Sequence, residues 1–115
     1  MRILVVDDEE PIRRMVSRVL RKQGHAVIVA ADGRQALETL AHDQVDLLVS
    51  DVAMPVMTGP ELVTAARRLC PELSILLMSG SERPAGYPFL AKPFQVHNLV
   101  VAVEHTCRPA VAAVR

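Results

Sequence analysis

The sequence predicts an α/β domain, a doubly wound parallel sheet of five strands, and three observations carry that reading. Short apolar runs alternate along the chain with stretches of helical spacing. The runs are continuously apolar rather than alternating, as strands covered on both faces are. The connections are short, which calls for βαβ units with right-handed crossovers. A length of 115 residues and a hydrophobic share of 50% suit one compact domain and exclude a disordered tail protein.

Each element has its own justification. Ile3-Leu4-Val5-Val6 reads as the first strand. Ile12, Met15, Val16, Val19 and Leu20 then recur at i, i+3, i+4, i+7 and i+8, with Arg13, Arg14, Arg18 and Arg21 outward, and Gly24 ends that helix. Ala26-Val27-Ile28-Val29 is the second strand, and Asp32-Gly33 caps a helix carrying Ala36, Leu37, Leu40 and Ala41. Leu47-Leu48-Val49 is the third strand. Pro60 fits the first turn of a third helix, with Leu62, Val63, Ala66 and Leu69 inward. Ile75-Leu76-Leu77-Met78 is the fourth strand, and a fifth lies around Tyr87 to Leu90. A last helix is marked by Val96, Leu99, Val100 and Val103, where periodicity outweighs the poor helix propensity of valine.

One unit is short of room. Twelve residues separate Ser79 from Lys92, and the fifth strand takes about four of them. The rest, residues 80–86, contains two glycines and a proline, so an ordinary helix of about 11 residues does not fit. A loop or a single turn is expected there, with the fourth helix missing or reduced.

Composition narrows the function. Thirteen Lys+Arg against thirteen Asp+Glu leave no net charge, so there is no electrostatic case for nucleic acid or an acidic membrane surface. No apolar run approaches the about 20 residues of a membrane helix. The four apolar residues after Met1-Arg2 are too few for a signal peptide. Cys70 and Cys107 lie 37 positions apart without metal-ligand spacing, which fits a reducing cytoplasm. The four histidines form no cluster with the acidic residues; surface or partly packed histidine is the expectation.

The chemistry gathers where an open parallel sheet binds ligands, at the carboxyl ends of its strands. Asp7-Asp8 closes the first strand, Asp51 the third and Ser79 the fourth, and Lys92 follows the fifth. Taken singly, each reads as a turn, a helix-dipole partner or a solvated charge. Together they do not. Carboxylates brought within about 5 Å repel by roughly 3 kcal/mol per pair at an effective dielectric near 20. A cation must offset that, and an all-oxygen site with room for waters suits Mg²⁺. A metal, a lysine and a hydroxyl around one carboxylate match the needs of a phosphoryl group, and a carboxylate can be its nucleophile.

These residues resemble the receiver domain of two-component response regulators, the chemotaxis-regulator-like, flavodoxin-like fold. The carriers are Val5-Val6-Asp7-Asp8-Glu9, the run Asp51-Val52-Ala53-Met54-Pro55-Val56-Met57-Thr58-Gly59, Leu77-Met78-Ser79-Gly80 and Lys92-Pro93-Phe94. The resemblance implies strand order 2-1-3-4-5. It makes Asp51 the phosphoacceptor, with Asp7, Asp8, Asp51 and the Ala53 carbonyl holding Mg²⁺. Ser79, Lys92 and the backbone N–H groups of Ala53 and Gly80 would contact the phosphoryl oxygens. Ser79 and Phe89 would form the switch, and the Lys92–Pro93 peptide would be cis. Ala53, small and apolar, leaves an attacking water unassisted and unobstructed. Phe94 is read as filling the core edge.

The implied function is a phosphorelay receiver, a signalling domain and not an enzyme in its own right, over residues 1–108. Residues 109–115 would be a tail or the start of a linker. Its expected partners are a histidine kinase or histidine phosphotransfer protein, with a homodimer or a downstream output partner besides. The missing helix belongs to the family's usual dimerisation face, which bears on how such a dimer forms. Shortened versions of this region are similar to receivers of hybrid histidine kinases, whereas Met1 directly on the first strand suits a free-standing or N-terminal receiver. Three rivals are weaker. A haloacid-dehalogenase-like phosphatase would need a second Asp two positions after Asp7, where Glu9 stands, and a cap. A flavodoxin-like carrier would need a phosphate loop where Asp7-Asp8-Glu9-Glu10 stands. A receiver-like module that binds partners without phosphorylation would not require the acidic trio with Ser79 and Lys92.

Overall fold

A computed structural model describes residues 1–80 and 86–106. The elements are β1 (Arg2–Val6), α1 (Glu10–Lys22), β2 (Ala26–Ala30), α2 (Gly33–His42), β3 (Leu47–Asp51), α3 (Gly59–Leu69), β4 (Ser74–Ser79), β5 (Phe89–Ala91) and α4 (Val96–Thr106). The strands form one sheet in the order β2-β1-β3-β4-β5, every pair parallel. The expected architecture is therefore the observed one. The described residues between β4 and β5 hold no helix, while residues 81–85 and 107–115, and with them the expected tail, lie outside the described set.

The continuous apolar runs are explained by two separate cores. Leu4, Val6, Leu48, Ile75 and Leu77 face α2 and α3, where Ala36, Leu40, Leu62, Val63 and Ala66 meet them. Ile3, Val5, Val49, Leu76 and Met78 face the other way, against Val16 and Leu20 of α1 and Leu99 and Val103 of α4. Successive residues of each central strand thus point into different cores, so both faces of these strands call for apolar side chains.

Local signals set the helix ends. Asp32 accepts from the Gln35 backbone N–H at 2.9 Å, capping α2 as expected. Gly24, at φ +91°, lets the chain leave α1 in the left-handed region. α3 starts with a reciprocal capping box that was not anticipated. Glu61 N–H donates to Thr58 Oγ1 at 3.3 Å, and the Thr58 N–H donates to Glu61 Oε1 at 2.9 Å.

Several positions depart from the sequence reading. Leu69, expected inward, is 50% exposed because α3 ends there. Ala41, in the last turn of α2, is exposed too. β2 is an edge strand, so Val29 is 44% exposed rather than covered on both faces. β5 sits one to two residues later than expected, at Phe89–Ala91, with the Pro88 carbonyl accepting from Leu77 N–H at 3.0 Å. Phe94 packs on the α1/α4 core, as core-edge filling requires, and Tyr87 packs on the other core.

Candidate functional site

Sheet register brings the acidic residues together. β1 and β3 are neighbours with Val6 opposite Ser50, so the next residues, Asp7 and Asp51, emerge side by side. β4 lies on the far side of β3 and β5 beyond it, with Ser79 paired to Ala91. The Lys92 backbone N–H then donates to the Ser79 carbonyl at 2.8 Å, fixing where the lysine leaves the sheet. The Lys92–Pro93 peptide is cis.

One oxygen from each of Asp7, Asp8 and Asp51 lies within 4.8 Å of the others. Asp7 and Asp51 are buried and Asp8 is exposed, so the cluster opens to solvent on one side. Lys92 Nζ donates to Asp7 Oδ2 at 2.8 Å and stands 3.4 Å from Asp51 Oδ2 and 3.7 Å from Glu9 Oε1. Asp7 is held at four points, one of them its own N–H, which donates to the Ala30 carbonyl at 3.3 Å. Its Oδ1 accepts the Glu9 N–H at 2.9 Å, its Oδ2 accepts Lys92, and its carbonyl accepts Arg13 Nη1 at 2.8 Å.

The charges respond to this crowding. Burial pushes the Asp51 carboxyl above its ordinary range; Lys92 pulls it back in part, and the Asp7 and Asp8 charges push it further up. Burial alone would lower the Lys92 ammonium, but its hydrogen bond and charge pairing with Asp7, then Asp51, outweigh that and raise it. The lysine is therefore a fixed cation between two carboxylates.

The donor set consists of hard carboxylate oxygens with an open side, which fits a small divalent cation such as Mg²⁺ that keeps part of its water shell. The remaining sequence candidates occupy the same end of the sheet. Ser79 is buried at the tip of β4, Gly80 follows it exposed, and Ala53 is exposed two residues past Asp51. Phe89 opens β5 half-buried, opposite Leu77.

The sequence reading missed three contributors. Arg13, expected outward, folds back to the Asp7 carbonyl, and one-dimensional spacing carries no signal for that. Ser50 donates its hydroxyl to the Asp51 carbonyl at 2.9 Å, satisfying a buried polar atom beside the acidic cluster. Gly59 is required by contact. A Cβ there would stand 2.5 Å from the Asp51 carbonyl oxygen and 3.0 Å from Val52 Cα. Its own N–H donates to the Val52 carbonyl at 2.8 Å, so α3 starts directly against the strand end that bears Asp51.

A doubly wound sheet that gathers three carboxylates and a lysine at its strand tips is an α/β domain with an acidic, cation-ready site, and comparison with known proteins makes its class definite. The family profile described as the response regulator receiver domain matches residues 3–104. The chain belongs to that family, the receiver domains of two-component response regulators. It is 37% identical to the response regulator MprA of Mycolicibacterium vanbaalenii, over 94% of this chain and 51% of that protein. It is 34% identical to the sensor kinase CckA of Brucella abortus, over 89% of this chain and 12% of that protein. Among solved structures, the receiver domain of the hybrid histidine kinase CckA superposes with TM-score 0.86 at 37% identity, covering 94% of this chain and all of that one (100%). Chemotaxis protein CheY4 of Vibrio cholerae gives TM-score 0.86 at 35% identity, covering 91% and 97% of the two chains. The chain spans about half the length of the MprA proteins it matches. Among the described residues, no helix is long and apolar enough to cross a membrane.

Proposed function

We propose that this receiver, taken as residues 1–108, accepts a phosphoryl group on Asp51 from the phosphohistidine of a kinase or phosphotransfer protein, and that the modification changes what it binds. The observation that supports this most directly is the placement of Lys92 Nζ, 2.8 Å from Asp7 Oδ2 and 3.4 Å from Asp51 Oδ2, beside three carboxylates sharing one small space.

In this reading an Asp51 oxygen attacks phosphorus, the P–N bond to the donor imidazole breaks, and the imidazole leaves with its electron pair and takes up a proton. Asp7, Asp8, Asp51 and the Ala53 carbonyl would hold Mg²⁺, which supplies neutralising charge to the transferring phosphoryl oxygens. Lys92 brings a second positive charge to those oxygens, and its pairing with buried Asp7 keeps it in place beforehand. The Ser79 hydroxyl and the N–H groups of Ala53 and Gly80 donate to the remaining phosphoryl oxygens. Asp51, with its carboxyl raised by burial, is a less solvated nucleophile than a surface aspartate.

The switch follows from charge. A phosphoryl group brings nearly two negative charges to a site that Lys92 and the cation balance only in part. Ser79 is drawn toward it from the tip of β4, and Phe89, half-buried on the neighbouring strand, moves into the space that opens. The domain assists its own modification but turns over no independent substrate, and such a receiver works in the cytoplasm.

Incubation with Mg²⁺ and acetyl phosphate or beryllofluoride, read by intact mass and by NMR, tests the reading. One adduct on the wild type, lost in Asp51→Asn and retained in Asp8→Asn at raised Mg²⁺, is expected. An adduct that persists in Asp51→Asn and disappears in Asp7→Asn would transfer the nucleophile to Asp7, as in a phosphatase. No adduct with any donor would leave a module that binds partners unmodified.

A further inference from the structure

A second surface lies beside the site and plays no part in the chemistry above. α2 and the loop after β3 enclose a shallow, largely apolar groove of about 550 Å³, lined by Leu37, Ala41, Val56 and Met57 and flanked by the polar side chains of Arg34, Glu38 and His42. Val56 on its rim is 81% exposed. It also sits at φ 73°, a left-handed conformation that strains a β-branched residue. The loop thus holds an apolar side chain out in water, at the edge of an apolar trough, in a conformation its own chemistry disfavours. Met57 anchors the loop on α2, where a Cβ at Gly33 would stand 2.8 Å from its sulfur.

The geometry points to a second copy of this chain as the occupant, with the two α2 helices packed antiparallel about a two-fold axis near Leu37. The charge pattern is the reason. Arg34 and Glu38 lie one turn apart on the same helix face as Leu37 and Ala41. Both are exposed, and neither forms an ion pair within 4.0 Å among the described residues. An isologous contact sets residue i of one copy against residue j of the other and j against i. An axis passing midway between positions 34 and 38 therefore places each Arg34 opposite the other copy's Glu38, twice. It also places the two Leu37 side chains within one residue rise of the axis, so the apolar centre is closed by the same operation that pairs the charges. A patch of uniform sign would repel its own copy; this one is complementary to itself.

The contact is small. A ten-residue helix is about 15 Å long, which with its flanking loop falls at the low end of interface sizes. A weak, reversible dimer with a dissociation constant on the order of 100 µM is the corresponding expectation. This face is distinct from the edge formed by β5 and α4, and the inference does not depend on phosphorylation of Asp51.

Sedimentation equilibrium from about 10 µM to about 1 mM chain tests it, with circular dichroism confirming that each variant is folded. The wild type is expected to shift from monomer toward dimer across that range. Arg34→Glu and Glu38→Arg each place like charges opposite one another and should weaken dimerisation at least tenfold. An equimolar mixture of the two single variants should associate again, because the chain with two carboxylates complements the chain with two guanidinium groups. The double variant Arg34→Glu/Glu38→Arg should also dimerise like the wild type. A wild type that stays monomeric at about 1 mM overturns the proposal. So does a dimer indifferent to the single reversals, or one that neither the mixture nor the double variant restores.

Discussion

Asp51 is held at the end of β3 with its charge only partly answered. Burial and the Asp7 and Asp8 charges outweigh Lys92, so its carboxyl titrates higher in the fold than in the unfolded chain. Ionised Asp51 therefore weakens the metal-free fold. That penalty is complete above the raised folded value and is relieved as pH falls through it toward the ordinary carboxylate range. Asp51→Asn should stabilise the metal-free protein by on the order of 1 kcal/mol at neutral pH. The advantage should close on acidification toward about pH 4. Denaturant midpoints of the two proteins across that range measure it, and a less stable Asp51→Asn would mean that Lys92 over-compensates the charge. At this scale much was legible. Two acidic residues after one apolar run, one after another and a lysine before proline stand out against continuous hydrophobic strands. Arg13 did not, since helical spacing says that it faces away from the α1 core but not that its side chain curls back to the Asp7 carbonyl.

The loop from β3 to α3 shows how elements discipline single residues. Gly59 begins α3 against the Asp51 and Val52 backbone, and the atoms that a Cβ would strike are main-chain atoms that cannot rotate aside. Gly59→Ala is expected to cost about 2 kcal/mol or more and to weaken adduct formation at Asp51 by displacing that strand end. Val56, four residues past Val52, presents the converse. Its φ of 73° is one that glycine adopts freely, so Val56→Gly should stabilise the protein by on the order of 0.5 kcal/mol, strain relief exceeding the added unfolded-state entropy. Chemical denaturation of both variants checks the pair of signs. Sequence alone announced that a helix begins near Pro60. It did not reveal that the preceding turn carries a strained valine, because nothing in a run of Met, Pro, Val and Met specifies the sign of φ.

Across the whole molecule, three carboxylates converge without a full complement of positive charge, so a divalent ion that binds the folded state alone must stabilise it. Mg²⁺ at a hundredfold excess over its dissociation constant should add about 3 kcal/mol. The gain should shrink sharply in Asp51→Asn, which lacks one of the three carboxylates; thermal unfolding with and without Mg²⁺ reads it. By itself the sequence determined the fold class, the strand positions to within two residues and the residue types at the strand tips. Buried parallel strands, amphipathic helices and their end signals all act over a few neighbouring positions. Only the tertiary structure decided which tips meet. The register of β1 on β3 sets Asp7 beside Asp51, and the Lys92 contact spans 85 positions. It also decided that β2 is an edge and that the last turns of α2 and α3 expose Ala41 and Leu69. Distances between groups far apart in sequence arise from the packing of whole layers, and no local pattern encodes them.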